Sequence, residues 1–135
     1  MNKNSAMAWI VKAWHNLSGA ELFYKANHYT DVTAVELHYA VEKLLKSFLA
    51  YENKKIPKTH KLEDIYDSIT KFINLEDDLD LLELISTYHI EESYPAFEKN
   101  MPSNSEIKEV LNFTNKLFED VCKILNIDKQ KIINE

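Results

Sequence analysis

The chain has 135 residues, 45% of them apolar, and carries a net charge of −6 with a pI near 5.4. That length matches a single domain able to bury its own core, and so apolar a composition excludes a disordered chain. The acidic balance excludes broad, sequence-independent DNA binding, which needs a basic face to neutralise phosphates.

A 3.6-residue apolar period predicts a first helix from about Ala6 to Ala26, with Ile10, Ala13, Trp14, Leu17, Ala20 and Tyr24 on one stripe. Gly19 inside it costs about 1 kcal/mol relative to alanine, which predicts a close helix contact at that point. After the link Asn27-His28-Tyr29, Thr30 or Asp31 caps a second helix that runs to about Glu52. Ala34, Leu37, Val41, Leu44, Leu45 and Phe48 keep its period, and Pro57 blocks its continuation. Thr59 is expected to cap a third helix carrying Leu62, Ile65, Tyr66, Ile69 and Ile73. The acidic turn Glu76-Asp77-Asp78 suits the positive end of a fourth helix with Leu81, Leu84, Ile85 and Tyr88. Pro95 and Pro102 break the chain from Glu91 to Pro102, and Ser103 with Glu106 forms a capping-box pattern. It opens the most regular helix, from Ile107 through Val110, Leu111, Thr114, Leu117, Phe118, Val121 and Ile124 to Leu125. Asp128 to Glu135 reads as a polar tail. The expected fold is all-α: one domain over 1–135 with its core at about 6–126, an antiparallel up-and-down four-helix bundle with an additional shorter helix.

No run approaches the roughly 20 apolar residues that cross a bilayer. Met1 to Trp14 lacks the apolar segment of a secretion signal, and Cys122 stands alone, so a reduced, cytoplasmic setting is expected. Cys122 itself reads as a small buried residue on a helix. All 16 basic residues are lysines. Without arginine's planar fork, an anion site must use lysine, histidine, hydroxyls or backbone N–H groups. Gly19 is the only glycine, which excludes Gly-rich phosphate loops.

Three patches in order resemble the HEPN family of small prokaryotic helical proteins. Ala40-Val41-Glu42-Lys43-Leu44-Leu45-Lys46 is similar to its A-x-E-K-x-x-K stretch, and Pro57-Lys58-Thr59-His60-Lys61-Leu62 to its P-x-T-H-x-L turn. Tyr94-Pro95 stands where the family carries R-Y-P, with Ser93 in place of the arginine. Ala13, Leu17 and Ala20 fit its first-helix frame, although Asn16 replaces the usual aspartate and His38-Tyr39 the usual paired glutamines. The resemblance implies a dimerising bundle often encoded beside a minimal nucleotidyltransferase. Some relatives are ribonuclease toxins with an R-x4-6-H motif, others nucleotide-binding or accessory subunits. This chain has no arginine for that motif; Lys55 to His60 is a lysine version, placed in the loop before the third helix.

These residues suggest a nucleotide or phosphate site at Lys43, Lys46, Lys58, Thr59, His60 and Tyr94. A helix start offers unpaired N–H groups and a positive dipole end, Thr59 adds a hydroxyl, and Lys58 and Lys61 flank it. Lys43 and Lys46 share a helix face and reach the site if that helix packs beside the turn. The resemblance places Tyr94 near the bundle's end, from where it is expected to close the other side. His60 reads either as a proton carrier to a phosphate or as a first-turn histidine tying the loop to the bundle. Glu42 and Lys46 also read as a solvated i,i+4 pair. His38 and Glu42 have metal-ligand spacing, but no third donor follows at a clear interval, so no metal, cofactor or catalytic residue is assigned. His89 with Glu91 and Glu92 reads as acid–base partners or as a solvated helix end. Trp9, Trp14, Phe48, Tyr66 and Phe118 read as core. The expected function is an accessory or nucleotide-binding module acting as a homodimer beside a nucleotidyltransferase, without R-x4-6-H ribonuclease activity. The alternatives are a ribonuclease toxin with an atypical site and a purely structural dimer.

Overall fold

The computed structural model describes residues 1–91 and 101–135. Helix α1 (Lys3–Lys25) starts at Asn2, whose side-chain oxygen accepts the Ser5 N–H at 2.9 Å. Helix α2 (Thr30–Tyr51) returns antiparallel to it: the Asn2 N–H donates to Tyr51 O at 2.8 Å, tying the start of α1 to the end of α2. The two form the most extensive helix pair, closed over fully buried Ala6, Ile10, Ala13, Leu17, Leu37, Leu44 and Phe48. Helix α4 (Leu79–Glu91) packs on α2, and α5 (Asn104–Ile124) on both α1 and α2. These four helices are the bundle, and among the described residues there is no strand. No described helix is long and apolar enough to cross a membrane.

A chain with a single glycine ends three of its helices on asparagine. Asn27, Asn53 and Asn126 take left-handed φ angles of 55, 58 and 53°. Each is followed by an N–H that reaches back five residues: His28 to Phe23 O at 2.9 Å, Lys54 to Leu49 O at 2.9 Å, and Ile127 to Cys122 O at 2.8 Å. This is the Schellman closure, in which asparagine stands in for glycine because its short polar side chain tolerates the left-handed region.

Several expectations are corrected. The third helix, α3, is only Leu62–Asp67, and Thr59 does not cap it. The Thr59 hydroxyl accepts the Lys61 N–H at 3.1 Å in a local turn. The Leu62 N–H donates instead to Ser86 Oγ of α4 at 2.9 Å, and Ser86 donates to Glu63 at 2.7 Å. Ile69 is still buried, but on a turn, where Tyr66 Oη accepts the Leu75 N–H at 2.9 Å. Asp128 to Glu135 is not a free tail: Asp128 caps a short helix α6 (Lys129–Ile133), and Ile132 is fully buried. Gly19 has no neighbour within 4 Å of where a Cβ would sit, so no close helix contact accounts for it. The capping box forms by half. Ser103 accepts the Glu106 N–H at 3.1 Å, whereas the Glu106 carboxylate accepts the Tyr88 hydroxyl of α4. The expected aromatic core is mostly present, with Phe48, Tyr66 and Phe118 buried and Trp14 half-buried and stacked on Phe118.

Candidate functional site

From Ala40 to Ala50 every α2 residue except Lys43 is buried, because α1, α3, α4 and α5 surround this helix. Polar residues on it are therefore drawn out of water. His38, Glu42 and Lys46 recur every four residues, one above the next on a single stripe. Their side chains are 0%, 7% and 6% exposed. Glu42 and Lys46 are thus not the solvated pair that their spacing suggested. A buried carboxylate needs donors on both oxygens, and Glu42 has them. Lys46 Nζ donates to Oε2 at 3.0 Å. On Oε1, His38 Nε2 lies at 3.1 Å and His60 Nδ1 at 2.8 Å.

Burial pushes the Glu42 carboxyl upward, but the hydrogen bonds from His38, His60 and Lys46, with the Lys46 charge, outweigh it and hold the group at about 2. The His38 ring is fixed from behind. Its Nδ1 lies 3.0 Å from the Ile85 carbonyl of α4, an oxygen that only accepts, so Nδ1 carries a proton.

His60 stands in the loop ahead of α3, with its side chain 45% exposed. Its ring stacks on His89 of α4, centroids 3.9 Å apart and planes 17° from parallel. His89 also approaches His38 at 5.2 Å and Tyr39 at 5.8 Å. The solvated-helix-end reading of His89 is therefore corrected. Burial lowers its pKa, and the charges of His60 and His38 lower it further against Glu42. Its Nδ1 is buried without a hydrogen-bond partner among the described residues. Outside the two rings lies a groove of about 560 Å³, bordered by Thr59, Lys61, Ser86 and Thr87 and by the carboxylates Glu63, Asp64 and Glu83.

The candidates named from sequence are thus partly gathered. Thr59 and His60 line the groove, and Lys46 meets His60 through their shared carboxylate. Lys43 turns toward α1, donating to Asn16 Oδ1 at 2.7 Å and lying 5.6 Å from the Tyr39 ring centroid. Burial lowers its pKa, opposed by Glu36 and Glu42. Lys58 is exposed. The N–H groups expected to be open at the start of α3 are not all open, since Ser86 takes that of Leu62. Tyr94, Ser93, Pro95 and Glu92 lie outside the described residues. Sequence reasoning left His38 and His89 out of the site. The one available signal was the H-x-x-x-E-x-x-x-K stripe on an otherwise apolar helix.

What these features define is a small antiparallel helical bundle with a histidine–carboxylate cluster on its central helix. The HEPN domain family matches residues 6–125, and the chain belongs to that family. A protein of known structure, described as the crystal structure of TT1696 from Thermus thermophilus, has a similar fold. It superposes with a TM-score of 0.77 at 21% identity, covering 90% of this chain and 98% of that one. No curated protein matches the chain.

Proposed function

We propose that this HEPN protein is a cytoplasmic accessory module that binds a nucleotide in the groove over His60 and His89 and works beside a nucleotidyltransferase. The observation that carries the reading is the stacked histidine pair bordering a groove of about 560 Å³, a size suited to a small ligand. Thr59, Ser86 and Thr87 offer hydroxyls to ribose or phosphate, and Lys61 offers a positive charge. Glu63, Asp64 and Glu83 disfavour a run of phosphates but accept hydrogen bonds from a base amine or a ribose hydroxyl. Of the proposed ligand residues, Thr59 and His60 act directly, Lys46 through Glu42, and Lys43 and Lys58 at the margin; Tyr94, outside the described residues, is carried only by the family resemblance. With 16 lysines and no arginine, the chain lacks the always-charged fork of the R-x4-6-H nuclease motif, so the proposed role is non-nucleolytic.

Calorimetric titration of mononucleotides into the parent and the His60→Ala, Lys46→Ala and His89→Ala variants tests the site. Weak, salt-sensitive binding that is lost in His60→Ala is expected, whereas equal affinity in all four proteins places the ligand elsewhere. Co-elution with the product of a neighbouring nucleotidyltransferase gene tests the partnership. RNA cleavage abolished by His60→Ala or His89→Ala would reverse the non-nucleolytic assignment.

The module is further proposed to act as a homodimer through α4. Leu82 and Ile85 are consumed by the core, but Leu79 is 38% exposed. Leu81 and Leu84 line a second groove with Phe113 of α5. Sedimentation showing a monomer at micromolar concentration would remove the dimer.

A further inference from the structure

We propose that His38, Glu42 and His60 form a binding site for a divalent transition-metal ion of the zinc class. The inference does not rest on the nucleotide reading, because it is drawn from ligand atoms beneath the groove and is tested without any nucleotide.

The donor atoms come first. One nitrogen from each histidine and one Glu42 oxygen lie within 4.8 Å of one another. Both nitrogens address the same oxygen, Oε1, at 3.1 and 2.8 Å. In a tetrahedral zinc site with bonds of about 2.0–2.1 Å, neighbouring ligand atoms stand roughly 3.3 Å apart. An ion therefore needs each ring to move slightly outward from Oε1 and the two nitrogens, now within 4.8 Å, to settle at about 3.3 Å from each other, an adjustment that falls mainly to the more exposed His60. Two imidazoles and a carboxylate suit zinc, cobalt or nickel, not magnesium or calcium, which prefer oxygen ligands.

The outer partners a metal site needs are also in place. Metal-binding histidines usually donate their second N–H to a carbonyl or carboxylate, which fixes the ring and its tautomer. His38 does this through Nδ1 to Ile85 O at 3.0 Å, so that Nε2 is the nitrogen facing the site. Lys46 holds the far carboxylate oxygen, Oε2, at 3.0 Å and leaves Oε1 for the ion.

Proton accounting agrees. His38 Nε2 and His60 Nδ1 both face an oxygen that only accepts, so each needs either a proton or a metal in between. The half-exposed His60 gives a route of access from the groove. Three protein ligands leave a fourth position open, and the ring of His89, 3.9 Å from that of His60 and with a buried Nδ1 that has no partner among the described residues, is near enough to hydrogen-bond a water or anion completing the shell.

The test is titration of chelator-treated protein with Co²⁺ alone, followed by competition with Zn²⁺. One equivalent of Co²⁺ giving visible absorption bands of a low-symmetry site, displaced by Zn²⁺ and not by Mg²⁺, is the expected result. His60→Ala, at an exposed position that leaves the bundle intact, should weaken binding by about 100-fold or more. Lys46→Met, which removes an outer partner, should weaken it by about 10- to 100-fold. Glu42→Gln should abolish the bands, and His28→Ala, on an exposed loop outside the cluster, should leave them unchanged. Absent bands in the parent, or equal Co²⁺ affinity in the parent and in a His60→Ala protein with a native circular dichroism spectrum, would overturn the site.

Discussion

Replacing Glu42 with alanine asks how much of the fold this one carboxylate holds. Its side chain is 7% exposed, and the two stripe neighbours it binds are 6% and 0% exposed. Deleting it leaves the Lys46 ammonium without its acceptor and turns two ring nitrogens toward a small cavity. Removing one partner of a buried ion pair costs about 3–5 kcal/mol, chiefly for the charge left behind. Lys46 relieves part of this by extending toward solvent, so a loss of about 3 kcal/mol is expected. That is a large share of the roughly 5–15 kcal/mol that stabilises an ordinary domain. The paired change Glu42→Leu with Lys46→Met removes both charges and keeps the volume, and it should recover at least half of the loss. Urea unfolding followed by circular dichroism, at neutral pH in chelator, gives both numbers from midpoint shifts at constant slope. A Glu42→Ala protein within about 1 kcal/mol of the parent, or a paired variant less stable than the single one, would refute the reasoning.

Other substitutions probe the same physics elsewhere. Gly19→Ala should raise stability by about 0.5–1 kcal/mol, because the position is helical and open; a lower melting temperature would mean that another chain occupies that surface. Asn126→Ala should cost about 1 kcal/mol while Asn126→Gly is neutral, since φ there is 53°; equal melting temperatures for the two would count against the left-handed cap. Burial, opposed by Lys129 and reinforced by Glu119, pushes the Cys122 thiol up to about 11, so a thiol reagent at mildly alkaline pH should modify it only on unfolding. The Glu42 carboxyl falls from 4.5 to about 2 on folding. Its stabilising contribution is therefore complete above about pH 4.5 and is lost as the pH drops toward 2. Acid-unfolding curves of the parent and Glu42→Gln, taken in chelator, should converge over that window, and curves that stay parallel through it would contradict the assignment.

The long helices were legible because each repeats its apolar residues often enough to fix a face. Ile10, Ala13, Leu17 and Ala20 on α1, and Ile107, Val110, Leu111 and Leu117 on α5, are all buried as their period requires. The short elements were not. Thr59 followed by Leu62 and Ile65 carries a good local cap signal, yet the cap comes from Ser86, 24 residues away. The contact that orders α6 has the same character. Ile132 is buried by packing of the last turn against α1, and five residues are too few to show a period. Local chemistry was read correctly at Ser103 and missed its partner at Glu106, whose carboxylate went to Tyr88 on another helix.

The site was hidden for a related reason, yet part of it was in reach. His60 and Glu42 are 18 residues apart, and no spacing rule joins a loop histidine to a helix carboxylate. His89 enters only because α4 packs over α2 at Ile85. The i,i+4 spacing of Glu42 and Lys46 fits an exposed pair and an enclosed one equally well, so spacing alone could not decide. The composition of α2 could. Ala40, Val41, Leu44, Leu45, Phe48, Leu49 and Ala50 cover more of the helix circumference than a single core stripe does, and a helix apolar on most sides is surrounded. An ionisable residue on the enclosed sides of such a run is buried, whereas one on its open edge, as Lys43 is, need not be, and a buried ionisable residue must be matched by another. Applied to His38, Glu42 and Lys46, that step predicts a compensated cluster and demands a further donor from elsewhere in the chain. His60, in the loop between the same helix and α3, supplies it.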